Sequence, residues 1–303
     1  LPDYPGGWNN RAVSLWHLEE LYEATVAIAI AYSKEEEIVK ALKTETFDRS
    51  YQESPILFHR RRVFTAFNQG SILLDLEAYD EAVKAYRRAE DVLKTWQPQL
   101  AGGDLVSNEF LGKLWSNFAI ALTATNESNP SWRAGDYARR STRYAADSYE
   151  IWYNAGVILT AVEEYSDALT ALTRAAELEP ENPDIALAWF KLGAEALSRY
   201  QLPVAWQALQ QAAIITPDNI DIAIKQGDVL VQAGCSKTAL QYFELLLNVA
   251  PDNTLIAERH GDLVISLGPE ESPFVSASTV DVSQCRAIFQ DDLLPSSMLP
   301  APL

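Results

Sequence analysis

Three histidines, two cysteines and three short acidic runs have the most chemistry to offer in this 303-residue chain, and their spacing withholds most of it. His17, His59 and His260 lie far apart. No two share a helical turn, as a pair of metal-binding histidines on one helix would. Each reads as a partly buried ring with a local partner. Cys235 and Cys285 are too few for a disulfide scaffold or a cysteine-based zinc site, and one bridge between them stays open. Glu35-Glu36-Glu37, Glu163-Glu164 and Asp291-Asp292 read as solvated charge, and none has the loop geometry of a calcium site. There is no glycine-rich phosphate loop, nucleophile elbow or His-Glu zinc motif. The expectation is a binding protein, not an enzyme, with no metal and no cofactor. Asn126-Glu127-Ser128 matches a glycosylation sequon by pattern, which matters only in a secreted eukaryotic protein.

A net charge of −18 repels phosphate backbones and anionic membrane surfaces, so nucleic acid is not an expected partner. Two basic clusters stand against that background. They are the run His59-Arg60-Arg61-Arg62 and the set Arg133, Arg139, Arg140 and Arg143. Each reads either as a dock for an acidic partner or as a solvated turn paired with nearby glutamates. The longest apolar run, Ala24–Tyr32, falls well short of the roughly 20 residues a membrane span needs and reads as a buried helix face. Leu1 is not an initiator methionine, which suggests a processed product or a fragment. A soluble, cytoplasmic protein is expected, with a periplasmic or lumenal setting left open.

The elements that must position these residues recur. Gly156, Gly193, Gly227 and Gly261 are spaced 37, 34 and 34 residues apart, and Pro180, Pro217 and Pro251 are spaced 37 and 34. A period near 34 signals stacked helical hairpins. Leu1–Gly7 reads as extended. Arg11–Tyr32 reads as one helix with Leu15, Leu18, Leu21, Tyr22, Thr25 and Val26 in helical register, and Ser33 with Glu36 reads as a capping box opening a second helix to Lys43. Thr44–Glu53 is a polar loop, and Ser54-Pro55 is a start signal. The expected organisation is an N-terminal helical extension (1–54), a repeat region (55–268) and an extended tail (269–303). The repeat units fall near 63–96, 107–148, 149–182, 186–219 and 220–253, with a capping helix at 254–268. Gln97–Val106 reads as an inserted loop and Asn126–Trp132 as a short interruption.

Trp152, Gly156, Tyr165, Ala168, Leu172, Ala175 and Pro180 stand where the tetratricopeptide repeat has its signature. The pattern returns at Trp189, Leu192, Gly193, Ala205, Leu209, Ala212 and Pro217, and again at Gly227, Ala239, Phe243 and Pro251. Gly70, Tyr79, Ala82, Tyr86 and Ala89 fit the same frame. The chain thus resembles the tetratricopeptide-repeat family over roughly residues 55–268. That resemblance implies an all-α fold, a right-handed helical-repeat solenoid whose first helices line a concave groove for an extended peptide or a partner helix.

In that family the groove-facing residues occupy the second, fifth, sixth, ninth, twelfth and thirteenth places of a unit. Here the sixth place runs Asn68, Asn117 and Asn154, then Lys191, Lys225 and Arg259. Asparagine can pair with a passing peptide backbone, and lysine and arginine can hold carboxylates. The line implies an extended acidic partner segment, its acidic part towards the C-terminal half. The alternative is that asparagine is simply common at this place, with Asp221, Asp228, Glu258 and Asp262 neutralising the cations. Phe67, Tyr153 and Phe190 at the fifth place could stack on a partner or be covered by neighbouring helices. The Lys/Asn clamp of the chaperone-type members is absent, which disfavours a co-chaperone role.

The leading expectation is a non-enzymatic scaffold or adaptor for protein or peptide segments, as a subunit of a larger assembly. Two alternatives stand: a transient receptor for an acidic peptide regulated by its own tail, and an accessory domain of an enzyme whose catalytic part is absent. The tail, with Phe289, Leu293, Leu294, Met298 and Leu299 beside Asp291 and Asp292, could lie in its own groove, dock on another subunit or act as a linker. The oligomeric state is left open.

Overall fold

The computed structural model describes residues 4–43, 54–99, 104–125, 132–180, 182–268 and 285. The polar loop 44–53, the sequon and the tail, apart from Cys285, lie outside these residues. Among them are thirteen α-helices and no strand. The chain divides into two compact units, one up to Ile158 and one from Leu159.

The first unit opens with α1 (Pro5–His17), α2 (Leu21–Lys43), α3 (Pro55–Asp75) and α4 (Tyr79–Trp96). It continues with α5 (Asn108–Ala124), α6 (Trp132–Tyr144) and most of α7 (Tyr149–Ala161). The first six helices pack as three successive pairs. The single helix expected over Arg11–Tyr32 is two. The chain reverses at Leu18–Glu20, where Glu19 takes φ 61°. The Glu19 and Glu20 amides close the turn on the Trp16 and Leu15 carbonyls at 2.9 and 3.0 Å. The face that decides this is the small-residue one. Ala24, Ala27, Ile28 and Ala31 are buried with Ala12, and Trp8, Leu15 and Trp16 pack around them. Alanines let two helices approach closely, so burial goes to them. The larger Leu18, Tyr22 and Val26 are left 67%, 76% and 46% exposed. Ser33 lies inside α2 and caps nothing, and Pro5–Gly7 are helical, with Pro5 in the first turn.

Close approach also explains the signature glycines. A methyl group added to Gly70 would lie 2.5 Å from the ring of Tyr86, which is fully buried on α4. Gly112 faces the Ala145 methyl in the same way. Part of the expected loop at 97–106 belongs to the core, since Leu105 and Val106 are buried. The Gln97 carboxamide holds that segment. Its oxygen accepts from the Leu105 amide at 2.9 Å, and its NH2 donates to Asp104 at 2.7 Å.

The second unit contains α8 (Tyr165–Leu178), α9 (Asp184–Ser198), α10 (Leu202–Ile215), α11 (Ile220–Gln232), α12 (Ser236–Val249) and α13 (Thr254–Leu267). Its core is built from Trp189, Leu192, Trp206, Leu209, Leu230 and Phe243, each at most 2% exposed. Asn219 and Asn253 cap α11 and α13 by accepting the Asp221 amide at 3.0 Å and the Leu255 amide at 3.1 Å. Gly193 and Gly227 repeat the device of Gly70, facing Leu209 and Phe243. Cys235 and Cys285 form a disulfide with their Cα atoms 6.0 Å apart, closing the option the sequence left open.

Candidate partner-binding faces

In the first unit the three sixth-place asparagines each donate to the preceding first helix. Asn68 Nδ2 donates to Asn9 Oδ1 on α1 at 3.0 Å. Asn117 Nδ2 donates to Ser71 Oγ on α3 at 3.3 Å, and Asn154 Nδ2 to Ser116 Oγ on α5 at 3.5 Å. Ser71 Oγ also lies 3.2 Å from the buried Tyr86 hydroxyl, so Asn117 belongs to an interior network. An Asn side chain has two N–H donors and one oxygen, so each residue keeps some capacity for a partner while binding successive repeats together. Phe67 meets the rings of Phe110 and Tyr86 at 4.9 and 6.2 Å, covered by its neighbours. Tyr153 is half-buried and stacks on Tyr149 at 5.7 Å.

The first basic run is paired with nearby glutamates, as one of its two readings had it, but His59 and Arg61 are buried where that reading had them solvated. Arg61 is buried and lies 3.4 Å from Glu35, which is 1% exposed and also accepts from Thr65 Oγ1 at 2.8 Å. Glu35 was expected in solvent; burial instead raises its carboxyl to about 7, outweighing Thr65 and Arg61. Arg62 pairs with Glu36 at 3.0 Å, and Arg60 Nε donates to the Leu105 carbonyl at 2.7 Å. His59 stacks on Trp96 at 3.6 Å, and burial followed by the Arg62 charge pushes its imidazole down to about 4.

The basic helix α6 is likewise engaged. Arg140 lies 3.9 Å over the Trp115 ring and 3.4 Å from Glu90, and Arg139 pairs with Asp136 at 2.6 Å. Glu90 also takes Tyr137 Oη at 2.9 Å and Lys94 at 3.0 Å. The cleft of about 480 Å³ between α4 and α6 therefore holds its own counter-charges.

The second unit presents a different surface. Lys191 on α9 is exposed and has no hydrogen bond or ion pair among the described residues, and Phe190 beside it is half-buried. Arg259 Nε donates to Asp228 Oδ1 at 2.9 Å, and Lys225 lies 3.9 Å from the same carboxylate. Of the four acids expected to neutralise the cations, Asp228 is the one seen pairing with them. The same face carries exposed aliphatic groups: Leu187 at 54%, Leu255 at 40% and Ile265 at 82%. These occupy the second and twelfth places of their units, and counting those places as well as the fifth, sixth and ninth would have found them. The nine expected site residues thus form two sets, Phe67, Asn68, Asn117, Tyr153 and Asn154 in one unit and Phe190, Lys191, Lys225 and Arg259 in the other.

Paired helices with glycine seats, repeated at a near-constant period, define a helical-repeat fold of stacked hairpins. Residues 65–92 and 149–182 match the tetratricopeptide repeat family. In those two stretches the chain is similar to the tetratricopeptide repeat, in keeping with its all-α helical-repeat fold. Among solved structures, the C-terminal part of a repeat-containing protein from Cytophaga hutchinsonii is similar at 15% identity and TM-score 0.51, over 85% of this chain and 88% of that one. YrrB, described as a tetratricopeptide protein with an unusual peptide-binding site, is 18% identical with TM-score 0.47, over 71% of this chain and 88% of its own. MamA is 20% identical with TM-score 0.44, over 69% and 98%. No curated protein matches the chain. Among the described residues, no helix is long and apolar enough to cross a membrane.

Proposed function

We propose that this protein is a non-enzymatic adaptor that holds an extended, acidic and aliphatic segment of a partner protein on the first-helix face of α9, α11 and α13. The observation that carries this reading is Lys191, an exposed cation with no counter-charge among the described residues, set among exposed Leu187 and half-buried Phe190 in the more acidic part of the chain. Aliphatic side chains of the partner would cover Leu187, Leu255 and Ile265, and its carboxylates would meet Lys191. Lys225 and Arg259 contribute as far as they release Asp228. The asparagines of the first unit serve mainly to bind repeats to one another. As a subunit of a larger assembly the protein would keep such a segment permanently, and stable stoichiometric recovery with its partner in high salt would mark that case.

The test is fluorescence anisotropy with a matched set of extended peptides carrying leucine and either Asp/Glu, Asn/Gln or Lys. Acidic peptides are expected to bind at least about tenfold more tightly than neutral ones, with affinity falling as salt rises. Equal binding of all three sets would overturn the charge assignment.

A further inference from the structure

In the first unit, α4 and α6 turn a polar side to solvent. α4 leaves Glu81, Lys84, Asp91 and Lys94 exposed, and α6 leaves Arg133, Asp136 and Arg143. The second helix of the first pair does the reverse. α2 exposes Tyr22, Val26, Ala29 and Ser33, which recur at i, i+4, i+7 and i+11 and so share one side of the helix. That side is opposite the one that buries Ala24, Ala27, Ile28 and Ala31 with Ala12. Leu18, in the turn leading into α2, is exposed as well. The fold thus hides small residues and leaves Leu, Tyr and Val in water. Burial of apolar area is a principal stabilising contribution, and an exposed apolar strip with a polar border marks an interaction surface.

The border supplies the sign of the partner. Between His17 and Lys34 the chain carries Glu19, Glu20 and Glu23, all exposed, and no lysine or arginine. These three carboxylates have no hydrogen bond or ion pair among the described residues. On the flank towards α3 and α4 the cations are already engaged. Arg62 pairs with Glu36 at 3.0 Å, and Arg88 lies 4.5 Å over the Tyr32 ring. Lys34 and Lys40 stand beyond the apolar stretch, towards the C-terminal end of α2. A second copy of this chain would set the same carboxylates against these, and an anionic lipid surface would repel them. A basic border complements them. Ala29 and Ser33 let another helix come close, while Tyr22 and Val26 offer it apolar area.

We propose that the outward side of α2, from Leu18 to Ser33, docks an amphipathic helix of a partner protein. The apolar stripe of that helix covers Tyr22 and Val26, and its lysines or arginines meet Glu19 and Glu23. This site lies in the first unit and takes a basic segment, so it stands or falls apart from the acidic segment proposed for the second unit. A chain with both sites would connect two partners of opposite charge.

The test uses the full chain and a labelled amphipathic helical peptide with leucine on one face and lysine on the other. Its counterpart carries glutamate in place of lysine. The lysine peptide should bind at least about tenfold more tightly, read by anisotropy. Tyr22→Ser together with Val26→Ser should weaken it by about tenfold or more without changing any charge. Glu19→Gln with Glu23→Gln should weaken it several-fold, and Glu81→Gln with Glu150→Gln should leave it unchanged. In the native chain, bound lysine peptide should slow hydrogen exchange in α2. The proposal is overturned if the Ser pair binds like the native chain, if both Gln pairs act alike, or if protection appears outside α2 only. A self-association of the native chain that the Ser pair abolishes would also overturn it, since a second copy would then cover the strip. Binding to neutral phosphatidylcholine vesicles that the Ser pair abolishes would overturn it in favour of a membrane.

Discussion

Glu35 makes the stability of the fold depend on pH. Its folded-state pKa, about 7 against an ordinary 4.5, means that the folded protein holds the proton more tightly than the unfolded chain. The associated stability is fully present below about pH 4.5 and is lost as pH rises through 7, amounting to about 3 kcal/mol at most. Glu35→Gln should flatten that fall between pH 5 and 8, as read by denaturant midpoints. His59 has the opposite sign. Its depressed pKa of about 4 gives stability that is present above its ordinary 6.5 and lost as pH falls through 4. Glu35 stood in an acidic run between Lys34 and Ile38, and its burial was not legible there because it depends on α3 delivering Arg61 and Thr65 to it. The asparagines were legible in place but not in role. Asn117→Ala should cost about 1 kcal/mol by unfolding, because it removes a donor from the Ser71–Tyr86 network.

At the scale of elements, the pairing of helices was readable because it follows from glycine and large-residue positions sixteen apart, which sequence displays directly. The division of α1 from α2 was not. The line Leu15, Leu18, Tyr22 and Val26 is a fair helical stripe, and what breaks it is the close approach of Ala12 to Ala24, Ala27 and Ala31, a contact across the turn that no local pattern announces. Gln97 pinning Leu105 into the core is another non-local fact. The glycine seats give a direct prediction. In Gly193→Ala the new methyl would stand 2.6 Å from Leu209 Cγ and 3.3 Å from the Ala205 carbonyl oxygen. Leu209 is fully buried and α10 is packed behind it. Despite the better helix propensity of alanine, the variant should lose roughly 1–3 kcal/mol, measured by equilibrium unfolding. A neutral result would mean that the two helices can part without cost.

For the whole molecule, charge is unevenly shared. Seventeen of the 24 lysines and arginines but only 22 of the 42 acidic residues precede Leu159, so the first unit carries −5 and the second −13. Among the described residues of the second unit, Lys191, Arg199 and Lys237 are the exposed cations. In that unit Asp228 holds Arg259 and Lys225, and under the proposed function it would compete with an acidic segment for them. Two substitutions should consequently move affinity in opposite directions. The most direct measurement is a titration of one acidic, leucine-containing extended peptide against the native chain, Lys191→Glu and Asp228→Asn at the same ionic strength. Lys191→Glu should weaken binding by about tenfold or more, and Asp228→Asn should tighten it several-fold by releasing two cations. Affinity indifferent to Lys191→Glu, or weakened by Asp228→Asn, would contradict the assignment of this face as the site for an acidic partner.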